Sequence, residues 1–454
     1  MKNITEYSNE QHNTLKSILT TVKIYGYRLL TLFMFLTLGL FFSQCEDDDE
    51  EEEEILIVDV EDYEITGEPF ENPNHNIDQA VSDEAQRNTI AFDAIGFLTG
   101  NLGSQTFLPP GKVADFNGFQ YFRDNDQTNL GHNTSFVTLI SYNIMNILTD
   151  EQIQMFVDAA NSQIDLINEY AYKRFPLCKA FRRLLENDLP AGTTGLSKDA
   201  VMQYSADLYR IDGEISYNRA ELFGDVINSL TVEQKIQIRE LFDLQGIGNW
   251  PSDLSNPLDD MNLERDVNVV VMTFASEIYT WYAGSVAADV YFCPERQGTY
   301  FGSFYLKDWP AMGNPNYTID EQLTANAGQN FFDILTTEQY DTFVSVVDLQ
   351  KNALLSLVDE REQISIELRK FLDDNTASLE TVLSLSDNYG EYDGEIIYLY
   401  ATYFTQIYQS LTDEQKAQIT DLANDLGYID PAGAFLYSAP IDMPEIENTD
   451  FLFE

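Results

Sequence analysis

Histidine is almost missing from this chain. Of three in the sequence, only His75 and His132 lie beyond the apolar run near the start. A His-rich metal centre is therefore excluded. So is a carboxylate-bridged di-iron bundle, which needs Glu-x-x-His on two helices. Cysteine is nearly as scarce, with Cys45, Cys178 and Cys293 only, and there is no CxxC and no CxxCH. A dithiol redox pair and an attached c-type haem are thus unsupported. Bases are few: 25 Lys and Arg stand against 76 Asp and Glu, for a net charge of −51. Nucleic-acid binding depends on Lys and Arg neutralising phosphates, so no nucleic-acid partner is expected. Anionic lipid headgroups are repelled on the same ground. No nucleophile motif and no cofactor fingerprint appears.

Long apolar runs are also short of what a membrane needs. Leu29 to Phe42 is an uncharged run of fourteen, whereas a bilayer-spanning helix needs roughly 20 residues. What surrounds that run is more telling. Lys16, Lys23 and Arg28 precede it, Cys45 follows it, and nine acids without a break, Glu46 to Glu54, come next. The order resembles a bacterial lipoprotein signal, with Cys45 as the lipidated residue and palmitate as its expected label. The acidic run resembles the surface-export signal of Bacteroidetes lipoproteins. A solvated spacer on a periplasm-facing protein is the alternative reading of the same acids. The resemblance implies a signal peptide over 1–44, a lipidated cysteine and acidic tether over 45–60, and a protein held at the outer membrane by its lipid anchor, facing the cell exterior. A single acyl chain binds only marginally, so stable anchoring takes the several chains such a cysteine carries. Without residues 1–44, which hold four bases and two acids, 21 bases and 74 acids remain, a net of −53. Such a surface favours divalent cations and basic partners.

Four segments share the pattern LTxEQ: Leu148 to Gln152, Leu230 to Gln234, Leu335 to Gln339 and Leu411 to Gln415. The step along the chain from Leu148 to Leu335 is nearly the same as that from Leu230 to Leu411. At the first step Ile147-Leu148-Thr149 falls on Ile334-Leu335-Thr336 and Phe156-Val157 on Phe343-Val344. At the second, Asp212-Gly213-Glu214-Ile215 falls on Asp393-Gly394-Glu395-Ile396. The pattern reads as one ancestral unit copied once. Thr with Gln three positions on is a capping box, so each segment is expected to start a helix, with its Leu as a hydrophobic staple. Ile153, Phe156, Val157, Ala160, Ile164 and Ile167 then recur at helical spacing. Val267 to Phe274 is rich in β-branched residues but reads as a helix opening at Asp266. The expected fold is mostly α: two tandem duplicated helical bundles of four to five helices each, with irregular loops. An N-terminal segment over 61–111 would precede the repeats, which would cover 112–290 and 298–440. The LTxEQ segments also resemble the LTxxQ motif of small periplasmic stress chaperones, which implies helical architecture and an envelope location.

Candidate sites are few. The stretch from Asp115 to Thr134 places Asp124, Asp126, His132 and Asn133 close together. Alternating oxygen ligands resemble the opening of a calcium loop, with Asp124 and Asp126 as metal ligands. The glycine at position six and glutamate at position twelve are not there. Two other readings stand beside calcium: a polar loop capping the next helix through Asn133 or Thr134, and a ligand or active site in which His132 exchanges protons with Asp124 or Asp126. The twin Asp-Gly-Glu-Ile segments lie inside helical stretches, where each Gly costs roughly 1 kcal/mol against Ala. They point to close helix approach or a kink, or else to a twin carboxylate site. The aromatic-rich runs at 279–282 and 398–404 read as core, or as sugar-stacking platforms if exposed. Cys178 and Cys293 are left as a bridge, or Cys178 is a small buried hydrophobe. The functional expectation is a lipid-anchored cell-surface binding protein whose ligand the sequence does not identify, more a binder than an enzyme. The alternatives are an envelope chaperone of the LTxxQ type, and an enzyme or calcium module centred on the Asp124–His132 loop.

Overall fold

Helices account for most of the described residues, which in this computed structural model are 81–100, 134–244, 249–283, 321–373, 377–425, 434–436, 439–441, 444–446 and 448–454. In chain order they are α1 (Asp83–Thr99), α2 (Thr134–Met145), α3 (Asp150–Lys173), α4 (Phe175–Leu185), α5 (Lys198–Asn228) and α6 (Val232–Asp243). These are followed by α7 (Arg265–Ala283), α8 (Glu321–Ile334), α9 (Thr337–Asp373), α10 (Leu379–Ser410) and α11 (Asp413–Asp425). A short antiparallel hairpin, β1 (Ala434–Leu436) and β2 (Ala439–Ile441), comes after them. Among the described residues no helix is long and apolar enough to cross a membrane. The β-branched run from Val267 is helical, within α7.

Every LTxEQ segment starts a helix by the same reciprocal pair of hydrogen bonds. The Thr149 amide donates to Gln152 Oε1 (2.9 Å) while the Gln152 amide donates to Thr149 Oγ1 (3.3 Å). Thr231 and Gln234 repeat this at 2.9 and 3.2 Å, Thr336 and Gln339 at 2.9 and 3.3 Å, and Thr412 and Gln415 at 3.0 and 3.2 Å. Two orphan amides are satisfied at each helix start. The preceding leucines pack inward: Leu148, Leu230 and Leu411 are buried and Leu335 is half-buried. The glutamines reach further still. Gln234 Nε2 donates to the Ile147 carbonyl (2.9 Å) and to Gln152 Oε1 (2.7 Å). Gln415 Nε2 donates to the Ile334 carbonyl (2.9 Å) and to Gln339 Oε1 (2.8 Å). Gln152 and Gln339 in turn hold Ser229 and Ser410, the last residues before the second and fourth motifs. Two paired clasps result, each tying the starts of two helices together.

The longest interhelical contact runs between α5 and α10, and α9 packs along both. Glycine makes the α5–α10 approach possible. A Cβ on Gly394 would lie 2.6 Å from the Met202 Cα, and one on Gly213 would collide with the Ser386 side chain. Neighbouring rings interlock at the same crossing, Tyr209 on Tyr389 with centroids 4.8 Å apart. The other helices gather in two sets. One consists of α2, α3, α5 and α7; the other of α8, α9, α10 and α11. The second set is completed by α1, which packs on α8, α9, α10 and α11 although it is first in the chain. The middle of α1 is enclosed: Ile90, Ala91, Asp93, Ala94, Ile95 and Phe97 have no exposed surface. A helix buried all round carries no strong polar face.

Helix length differs between the two sets. α9 runs unbroken for 37 residues, whereas the chain from Asp150 to Leu185 is split into α3 and α4 around Arg174, with Pro176 in the first turn of α4. Proline has no amide to give the preceding turn. The faces follow the spacing read from sequence, with Ile153, Phe156, Val157, Ala160 and Ile167 buried and Ile164 half-buried. Ile236 is the exception on α6, pointing outward while Ile238 and Leu241 are buried.

Candidate functional site

Cys45, Asp124, Asp126, His132 and Asn133, the residues singled out for lipidation, calcium and ligand binding, all lie outside the described residues, as do His75 and Cys293. Cys178 is placed. It is a free thiol buried in α4, and burial pushes its pKa up to about 11. Among the described residues no group of three or more His, Cys, Asp or Glu is arranged to hold a metal ion.

The twin Asp-Gly-Glu-Ile segments lie on the two helices of the crossing, α5 and α10, each facing the serine of the opposite helix rather than its twin. Asp212 and Asp393 are both buried, each immediately before a glycine of the helix crossing. Ser205 Oγ lies 3.5 Å from Asp393 Oδ2. Ser205 and Ser386 are related by the same step along the chain as Leu230 and Leu411, and each meets the glycine of the opposite helix. The close approach expected from these glycines is what the structure has. The glutamates diverge from the aspartates: Glu395 is partly exposed and pairs with Lys198 at 2.6 Å.

Behind each clasp lies a polar interior, and the two are built from different chemistry. In the first set Arg219 of α5 forms an ion pair with Glu277 of α7, with side chains only 9% and 3% exposed. The Arg219 guanidinium also sits 5.9 Å over the Phe223 ring. In the second set the position equivalent to Arg219, by the Leu230-to-Leu411 step, is Tyr400. It is fully buried on α10. Burial and the charges of Asp93 and Asp393 hold its phenol well above the ordinary tyrosine range, opposed by a hydrogen bond with Gln350. Gln350 Nε2 donates to Gln86 Oε1 at 2.9 Å. Thus α1, α9 and α10 contribute an acid, two amides and a phenol to one buried cluster.

A phenol raised in this way stays protonated across the physiological range. It can donate a hydrogen bond and cannot act as a base. Arg174 and Arg361, equivalent by the Leu148-to-Leu335 step, are also buried. A chain with three acids for every base thus places scarce arginines inside, where unneutralised buried acids are most costly. These clusters set buried acids, amides, a phenol and an arginine against one another in the interior. No family model matches this chain, and no curated protein or solved structure is found to be similar to it. The two interiors therefore have to be read from their own geometry.

Several of these residues escaped the reading of the sequence. Asp93 interrupts the apolar stretch Ile90 to Leu98, and Glu277 interrupts Val269 to Ile278. An acid inside an apolar helical run is the signal that marks both. Their partners carry no such mark, because pairing across helices depends on topology. The aromatic runs are mainly core, with Tyr400 and Phe404 fully buried and Tyr398, Tyr403 and Trp281 half-buried.

Proposed function

We propose that this protein is a lipid-anchored cell-surface binding protein, built on an internally duplicated helical scaffold and held at the outer membrane through Cys45. The observation that carries the anchor is the order of basic lead, apolar run, Cys45 and nine acids. The decisive experiment replaces Cys45 by Ser, fractionates the cells and follows labelled palmitate. The native chain is expected in the outer membrane with label, and accessible to protease added to whole cells. The variant is expected to lose both membrane retention and label. Native chain that takes up no label, and a variant that stays membrane-bound, would overturn the reading.

The duplication is supported by matching helix starts. α2 and α8 begin at 134 and 321, α3 and α9 at 150 and 337, α5 and α10 at 198 and 379, and α6 and α11 at 232 and 413. The first two pairs keep the step from Leu148 to Leu335, and the last two keep the step from Leu230 to Leu411. The two clasps support it further. α1 and α7 occupy corresponding roles, each completing a set, so the unit is closed by a helix that follows α6 in one copy and precedes everything in the other.

Binding is favoured over a chaperone of the LTxxQ type because the Thr and Gln of all four motifs serve helix starts and clasps. The motif has a full structural use without a client. We assign ligand recognition to the stretch from Asp115 to Thr134, which carries Asp124, Asp126, His132 and Asn133. Calcium is the ion to try first. Calorimetric titration of the native chain and of an Asp124→Asn, Asp126→Asn variant separates a calcium loop, lost in the variant, from a ligand site that responds only to His132→Ala.

A further inference from the structure

Residues 444–446 and 448–454 are held against helices far upstream in the chain. This segment returns to α4 and the start of α5, makes a 3-10 turn over Asp450–Leu452, and meets the loop between them in a single antiparallel bridge, Leu196 with Phe453. The Thr194 and Gly195 amides donate to the Glu454 carbonyl (2.6 and 3.3 Å), the Glu454 amide to the Gly195 carbonyl (3.0 Å), and the Ser197 amide to the Leu452 carbonyl (2.9 Å). Leu452 has no exposed surface and Thr449 almost none. Arg183 binds the segment twice. Its Nη1 donates to Asp450 Oδ1 (2.8 Å) and Thr449 Oγ1 (3.0 Å), and its guanidinium lies 5.0 Å over the Phe453 ring. Lys179 Nζ donates to the Ile446 carbonyl (2.7 Å). The Phe451 ring leans on Tyr204, centroids 5.8 Å apart.

Backbone and side-chain contacts are combined here as they are where folded domains capture short peptides. Backbone pairing supplies affinity and a few side-chain positions supply selectivity. Charge fits too. The segment carries Glu445, Glu447, Asp450 and Glu454, and α4 presents Lys179, Arg182 and Arg183, a concentration of bases in a chain of net charge −51. The docking residues fall within 179–204, far upstream of the segment, so the contact is non-covalent and self-contained.

We propose that the corner formed by α4, the loop 190–197 and the start of α5 is a peptide-docking site, occupied by the chain's own Asp-Phe-Leu-Phe segment and selective for peptides that adopt the same turn and carry the same side chains. The acid two positions before the leucine engages Arg183. The leucine fills the buried pocket. The phenylalanine after it stacks under the same guanidinium.

The test uses the full chain carrying Leu452→Ala and Phe453→Ala, which weakens the resident segment, and a fluorescein-labelled peptide of residues 444–454. Fluorescence polarisation should show the peptide binding this variant at least tenfold more tightly than the native chain, whose own segment competes at a high effective concentration. Adding Arg183→Ala should lose about tenfold of that gain, consistent with a charge-assisted contact. A scrambled peptide should not bind. Equal binding of both peptides, or of neither, by a variant with native helical content would overturn the proposal. If the double variant does not fold, the exposed substitution Asp450→Lys takes its place as the weakened chain, and the same outcomes decide.

Discussion

Gln234 grips Gln152 at 2.7 Å across the end of one set of helices, and Gln415 grips Gln339 at 2.8 Å across the other, yet the interiors behind these matched clasps are chemically distinct. Arg219 and Glu277 form a buried ion pair in the first. Tyr400, Gln350 and Gln86 with Asp93 make up the second. The contrast shows where the fold is constrained. A helix start leaves amides that only certain side chains in certain positions can satisfy, so the clasp chemistry is the same wherever the motif recurs. An interior demands only that buried polar groups be compensated, and a cation or a phenol meets that demand.

The contrast breaks most severely at Glu277. Replacing it by Ala strands the Arg219 charge in the core, and about 3–5 kcal/mol of stability should be lost. Tyr400→Phe removes one hydrogen-bonding group and should cost only about 1–3 kcal/mol. Denaturant unfolding of the two variants measures the gap. Equal losses would mean that the interiors are not energetically distinct.

The helix crossing shared by both sets should respond next. Gly394→Ala presses a methyl group onto the Met202 backbone, and overpacking of that kind costs roughly 1–3 kcal/mol. Gly213→Ala meets a serine side chain instead, and should be the milder of the two. A milder Gly394→Ala would show that α5 yields at Met202 more easily than α10 does at Ser386.

The clasps sharpen the comparison from the other side. Gln152→Ala and Gln339→Ala remove the same set of hydrogen bonds. Each should cost about 0.5–2 kcal/mol as a lost cap. The two losses should agree closely, since the same hydrogen bonds are removed at both sites. Melting temperatures of the pair test this, and a large difference would deny that the ends are equivalent.

The smallest effect lies in the segment that only the first set carries. Hydrogen bonds from Arg183 and Asn448 lower the Asp450 pKa below the ordinary carboxylate value, which is near 3.9. A depressed carboxylate contributes to docking above that value and loses the contribution as pH falls through the lowered one. The amide protection factors at 451–454, taken against the intrinsic exchange rate at each pH, should therefore fall below about pH 4. Asp450→Asn should remove that dependence.

Local chemistry was legible in the sequence. The four caps, the helix at Val267 and the glycine approach at Asp212-Gly213 and Asp393-Gly394 each follow from a few adjacent residues. What the sequence did not reveal depends on distant partners. Nothing within Ala434 to Ile441 announces a hairpin, and nothing in 444–454 announces the loop at Gly195. Asp93 stands out inside its apolar run, but that it would meet Tyr400 depends on α1 joining helices far along the chain. Arg219 and Glu277 belong to the same class, visible singly and silent as a pair.

Enclosure of α1 by α8 to α11 has a consequence in time. α1 ends at Thr99, and the first of its main partners does not begin until Glu321. At synthesis rates of about 5–20 residues per second, that wait is on the order of 10–45 s. Throughout it, Ile90, Ile95 and Phe97 have no native surface to cover them. The first of the described helices to be made is among the last to be housed, so the nascent chain has to be kept from collapsing or aggregating until its far half arrives.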